Sequence, residues 1–307
     1  MSAPDDVTTP TASPHKIAWA RRRRAAGAFW RQYRQNRAGM FGLVVLALFV
    51  ATAVAAPLLV GPDDLSLTRS PGDPFEPPSS EFPLGTDLAG RSVLDLIIWG
   101  SRISLTVGFL ATFISVGLGT LMGVLAGHFG GWFSSILMRI TDWFLVMPTL
   151  VLGIALATVL GRSVATLIIA IGVTSWPTTA RLVRAQTLAV EARPYIERAT
   201  ALGGGHWHVM NRHVLPNVMP LVLAQTTLTV AGAILTESTF AFLGLGDPTT
   251  PSWGGTIQDA RTSGAVSSGM WWYVLPPGIA IVLVCLAFTL CGRAIERILN
   301  PKLRLRS

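Results

Sequence analysis

Six uncharged apolar runs divide the 307-residue chain, at positions 40–60, 103–126, 143–160, 163–180, 218–236 and 270–292. Each approaches the ~20 residues that carry a helix across ~30 Å of hydrocarbon, so the pattern predicts six transmembrane helices. The stretches between them alternate in charge. Arg21, Arg22, Arg23, Arg24, Arg31, Arg34 and Arg37 precede the first run, arginines from Arg181 to Arg212 follow the fourth, and Arg293, Arg297, Lys302, Arg304 and Arg306 follow the last. Residues 61–102 instead carry Asp63, Asp64, Asp73, Glu76, Glu81, Asp87 and Asp95 against three arginines. Basic loops stay in the cytoplasm, which places both termini and the 181–216 loop inside and the acidic segment outside.

The expected class is therefore an all-α integral membrane protein. Residues 1–38 read as a cytoplasmic, disordered and basic tail that opens rich in Pro, Ser and Thr. Residues 39–292 read as the six-span domain, with extracytoplasmic loops at 61–102 and 244–272, and residues 293–307 as a basic cytoplasmic tail. The first run starts far from the N-terminus and lacks an A-x-A cleavage pattern, so it is read as a retained span. Charged residues make up only 13% of the chain, too few for a soluble domain of this length. The net charge of +8 sits in blocks flanking the spans and not along one face, which argues for topology and against nucleic acid. Cys285 and Cys291 lie six positions apart within the last run, on different helix faces, and predict neither a disulfide nor a metal pair. The inner spans are rich in small residues, as in Gly117-Leu118-Gly119-Thr120 and Gly123 to Gly127, which let helix backbones approach closely in lipid.

The polar 181–216 loop is the most informative segment. Pro194 suits a first helical turn, Tyr195 to Leu202 continue it, and Gly203-Gly204-Gly205 stop it. His206 to Val214 predict a second short helix ended by Pro216, with Trp207, Met210 and Val214 as an apolar stripe for a partner's groove. His206, His208 and His213 lack a completing carboxylate or cysteine and read as a solvated helix face. Glu197, Ala199 and Gly203, followed by Val214-Leu215-Pro216, resemble the coupling loop of binding-protein-dependent ABC importer permeases. Phe41-Gly42-Leu43, Pro83-Leu84-Gly85-Thr86-Asp87, Gly90-Arg91, Gly100 to Leu105, Gly130-Gly131-Trp132, Phe240 to Gly246 and Pro251-Ser252-Trp253-Gly254 extend that resemblance over about residues 29 to 306, within the dipeptide, oligopeptide and nickel subgroup. The similarity is to the second of the two permeases. Arg198, Val214 and His128 depart from the pattern, His128 standing where tyrosine is expected.

The resemblance implies a type I importer permease architecture with a cytoplasmic coupling helix, in a bacterial cytoplasmic membrane. It implies a homologous second permease, two ABC ATPase domains and an extracytoplasmic substrate-binding protein as partners, and peptide as cargo, with a nickel chelate or another small solute as the alternative. It also implies coupling roles for Glu197, Ala199, Gly203, Gly204, Trp207, Leu215 and Pro216. The only lysines, Lys16 and Lys302, follow no glycine loop, so no P-loop is present; ATP and Mg²⁺ are expected on partner subunits, and no cofactor, metal or catalytic residue on this chain.

Glu237 is a candidate for the translocation path, evenly matched with a structural hydrogen bond, and Asp142 is expected to pair with Arg139. Asp87, Arg91 and Trp253 are candidate contacts for the binding protein. An ion-coupled secondary transporter would need a buried charge relay, and an intramembrane hydrolase a nucleophile with its base. Neither reading explains residues 197–216.

Overall fold

The computed structural model describes residues 14–61, 64–66 and 70–299. Among them the chain is helical, and the only pairing of extended backbone is an isolated bridge between Thr86 and Ser92. Residues 1–13 and 300–307 of the two expected tails lie outside the described residues.

Residues 14–35, expected to be disordered, form a helix, α1 (Pro14–Gln35), because their Ala, Arg and Gln content favours one. Asn36 interrupts it and caps α2 (Arg37–Leu59), its side chain accepting from the Gly39 amide at 2.9 Å. The buried Tyr33 donates to the Gly39 carbonyl at 3.0 Å, fastening α1 to the start of α2.

Four further helices are long and apolar enough to span: α3 (Val93–Phe129), α6 (Val164–Glu191), α9 (Leu215–Phe242, continuous with the turns before it) and α11 (Trp271–Leu299). The third expected span is not one straight rod. It divides into α4 (Gly131–Val146) and α5 (Thr149–Leu160), bent by 88° at Met147 and Pro148. Proline lacks the N–H that would continue the ladder and drives the preceding residue out of the helical region, and Met147 is extended at ψ 128°. α5 alone, at 12 residues, reaches only ~18 Å. Taken as one broken span, α4 and α5 bring the number to six. α11 runs on to Leu299, so the expected C-terminal tail begins as the last turns of a span helix.

Small residues set the helix contacts. Gly119, Gly123 and Gly127, four apart on α3, face Thr179, Val183 and Thr187, four apart on α6, and this is the most extensive helix pair in the molecule. A Cβ on Gly123 would stand 2.6 Å from the Ala180 carbonyl, and one on Gly127 2.5 Å from Thr187. Gly42 of α2 meets the Ala287 carbonyl of α11 in the same way, and Gly108 of α3 meets Ile234 of α9. Close backbone approach replaces the hydrophobic driving force that lipid withholds.

Candidate coupling element and the outer cluster

The 181–216 loop folds as two short helices around a glycine turn. α7 (Pro194–Ala201) opens with Pro194 in its first turn and ends where Gly203 adopts φ +87°, a conformation closed to most side chains. The Gly204 amide donates to the Ala199 carbonyl at 2.9 Å, closing the turn. α8 (His206–Val209) follows, then a single wide turn, Met210–Val214, that runs straight into α9.

Pro216 therefore does not end the second helix, as the sequence suggests. The wide turn, in which the Leu215 N–H donates to the Met210 carbonyl, accommodates the ring and the missing N–H, so the coupling element and the fifth span form one rod from His206 to Phe242. The expected apolar stripe also divides. Met210 and Val214 are buried among Val116, Val124, Val183 and Val218, while Trp207 is 74% exposed. The surface left free for a partner is instead Tyr195, Leu202 and Trp207, with Leu202 89% exposed. Glu197, Gly203 and Pro216 are exposed beside it, and Ala199, Gly204 and Leu215 partly so. Tyr195, Arg198, Ala199, Leu202, the three glycines, His208 and His213 line a hollow of about 620 Å³ on this surface. One residue that matters here drew attention in the sequence only as a departure: His128, at the end of α3, bonds both to Glu191 of α6 and to His206 of α8.

At the other end of the spans, Asp87 and Trp253, two of the three residues expected to meet a docked protein, are buried. Asp87 is 1% exposed and organises its own turn, accepting from the Ala89 and Arg91 amides at 2.8 Å and from the Arg91 guanidinium at 2.6 and 2.7 Å. Trp253 is fully buried at the start of α10 (Trp253–Thr262), donating from Nε1 to the Ile97 carbonyl at 3.0 Å and meeting Phe49 edge-on. The causes differ: polar groups of the acidic segment are spent on its own tight turns, whereas Trp253 fills the space between α2, α3 and α9. Arg91 instead lines an outer cavity of about 660 Å³ together with Arg162, Asp247, Gln258 and Asp259. Burial raises the Asp259 carboxyl above its ordinary pKa, with Arg91 lowering it and Asp87 raising it further.

Glu237 is fully buried and sits between helices: Ser104 of α3 donates to its Oε2 at 3.0 Å and Ser238 at 3.3 Å. The structural hydrogen bond is present at Oε2, while Oε1 has no hydrogen-bond partner among the described residues. An apolar groove of about 450 Å³ runs elsewhere between α3, α8 and α9, lined by Thr112, Gly117, Thr120, Trp207, Asn211 and Thr226 among others. Asp142 pairs with Arg181 of α6 at 2.6 Å and not with Arg139, because α4 packs its end against α6.

Comparison with known proteins agrees with this arrangement. Residues 119–305 match the family described as binding-protein-dependent transport system inner membrane component, and residues 26–78 match the N-terminal transmembrane domain of oligopeptide transport permease C. The chain is 34% identical over 276 residues to the dipeptide transport system permease protein DppC of Alkalihalophilus pseudofirmus, covering 90% of this chain and 89% of that one. It is 35% identical over 278 residues to the glutathione transport system permease protein GsiD of Pectobacterium atrosepticum, covering 90% and 91%. A chain of the inward-facing MetNI methionine ABC transporter has the same fold, with a TM-score of 0.53 at 19% identity over 65% of this chain and 96% of that one. With spans, fold and sequence in agreement, the chain is a multi-pass inner-membrane permease subunit that belongs to the binding-protein-dependent ABC transport family.

Proposed function

We propose that this subunit forms half of the membrane path of an ATP-driven importer of di- or oligopeptides and takes its power stroke from separate ATPase subunits. The observation that carries this is the continuity of the exposed coupling element with a span: α8 is the first turn of the rod from His206 to Phe242, so a push on it moves the span without a joint between them. Exposed Tyr195, Leu202 and Trp207 offer an apolar face to a cytoplasmic partner, and the glycine turn fixes its shape. The relatives named for dipeptide and glutathione transport supply the cargo class.

In this mechanism a loaded binding protein docks on the extracytoplasmic face, over the 61–102 and 244–272 loops. ATP and Mg²⁺ bind on the partner ATPases, whose closure moves the coupling elements of this chain and of a homologous permease. The spans then alternate access around a shared path. The groove between α3 and α9 fits that path better than buried Glu237. Its surface is mostly apolar, with Thr112, Thr120 and Thr226 among the residues around it. Both termini lie in the cytoplasm in this scheme, in line with the charge pattern.

Uptake of a labelled dipeptide into cells expressing the whole transporter tests the reading. It is expected to survive collapse of the proton gradient and to fail on ATP depletion. The reverse pattern would assign the chain to gradient-driven transport and refute the proposal.

A further inference from the structure

We propose that Glu191, His128 and His206 form a tie that positions the coupling element on the ends of α3 and α6, and that the tie tolerates one added proton but not two. The inference rests on the coupling reading above and deepens it.

His128 stands at the last turn of α3, its side chain 6% exposed. Its Nδ1 lies 2.6 Å from Glu191 Oε1 at the end of α6, and its Nε2 lies 3.0 Å from His206 Nδ1 at the start of α8. Phe129 packs on both sides of the junction, with its ring centroid 5.4 Å from His206 and 5.8 Å from Phe133 of α4. Two directed hydrogen bonds join α3, α6 and α8 at this junction.

The directions follow from the chemistry. A carboxylate only accepts, so His128 Nδ1 carries the hydrogen that Glu191 takes. Neutral His128 then presents a lone pair at Nε2, and His206 donates to it from Nδ1. Adding one proton to the pair preserves both bonds: His128 donates from both nitrogens, and His206 accepts at Nδ1. A second proton places N–H groups on both facing nitrogens 3.0 Å apart, with two like charges, and the junction to α8 opens. The charged neighbours do not replace it. Arg184 of α6 turns to Ser134 of α4 at 3.2 Å, His208 of α8 meets His213 edge-on, and among the described residues no group of three or more His, Cys, Asp or Glu side chains is placed to hold a metal ion.

The tie makes His128 and Glu191 positioning residues for energy coupling, since movement of α8 reaches α3 and α6 through them and α9 directly. The test uses the whole complex in proteoliposomes and the binding protein as isolated. The readout is the ratio of ATP hydrolysis with the binding protein to that without it. His206→Ala removes the donor from an exposed position, and the ratio is expected to fall roughly 5-fold or more. His206→Asn keeps an N–H where Nδ1 lies and cannot titrate, so its ratio is expected to stay within roughly 2-fold of wild type. On acidification far enough to load both rings, the wild-type ratio falls and the His206→Asn ratio does not. A His206→Ala complex with the wild-type ratio, or a His206→Asn complex with the same acid loss, overturns the tie. Gly203→Val separates the two readings: if it uncouples the complex while His206→Ala does not, only the tie fails; if it changes neither ATPase attachment nor the ratio, the coupling reading fails.

Discussion

Replacing Gly123 by alanine tests the packing argument at the middle of the α3–α6 seam. The new Cβ would lie 2.6 Å from the Ala180 carbonyl and 2.7 Å from Val183 Cβ, on a seam where Gly119 and Gly127 are held as closely. Non-bonded carbons rest at about 3.5 to 4.0 Å, so α3 and α6 must part by roughly 1 Å. One obstacle is backbone, which no rotamer change relieves. Overpacking of this kind costs about 1 to 3 kcal/mol. Against it stands the better helix propensity of alanine, worth about 1 kcal/mol. Gly117 supplies the control, because a Cβ there meets nothing within 4 Å. Gly117→Ala is therefore expected to be neutral or stabilising, and Gly123→Ala to be destabilising. Thermal unfolding of the detergent-purified complex, followed by fluorescence-detected size exclusion, reads the difference. Equal midpoints for the two variants would refute the view that the glycine seam holds the spans together.

Gly203→Val places a branched side chain at φ +87°, a cost of about 1 to 2 kcal/mol, with no atom near enough to clash. Recovery of ATPase subunits with the purified permease is expected to drop, while membrane insertion does not, as immunoblots of membrane fractions would show. Trp253→Ala empties a fully buried site and is expected to cost about 3 to 5 kcal/mol, seen as loss of monodisperse complex on size exclusion; a variant that is stable but fails only to bind the binding protein would return Trp253 to the surface. Glu237→Gln keeps an acceptor for Ser104 and is expected to retain stability, whereas Glu237→Ala leaves that hydroxyl unpaired at about 1 to 3 kcal/mol; matched unfolding midpoints for the two would show the bond to be idle. The raised pKa of Asp259 means that the folded state holds its proton more tightly than the unfolded state. Its carboxyl therefore opposes folding increasingly as pH rises above the ordinary carboxylate value, and Asp259→Asn is expected to stabilise the complex at pH 7 but not in acid, as unfolding midpoints at the two pH values would show.

The spans were legible because hydrocarbon demands long uncharged runs, and five of the six expected runs each fall on a single helix to within one residue. The break at Pro148 was visible as a proline, but composition alone does not say whether a proline kinks a helix or ends it. Pro177 lies inside α6 without stopping it. Pro216 shows the same limit, because the wide turn that absorbs it is a property of backbone pairing and not of residue type. In the outer loops, Trp253 and Asp87 carried the marks of a recognition surface, yet polar and aromatic groups serve equally well to close turns over helix ends. The 1% exposure of Asp87 settles which they do here. The tie at His128 joins positions 63 and 78 residues apart, a distance that periodicity and local motifs do not bridge.

The most direct test of the account is affinity purification of this chain in mild detergent from its native membrane, with mass spectrometry of what stays bound. The account predicts a paralogous permease and P-loop ATPases in the eluate. A chain recovered alone, or only with copies of itself, would contradict it.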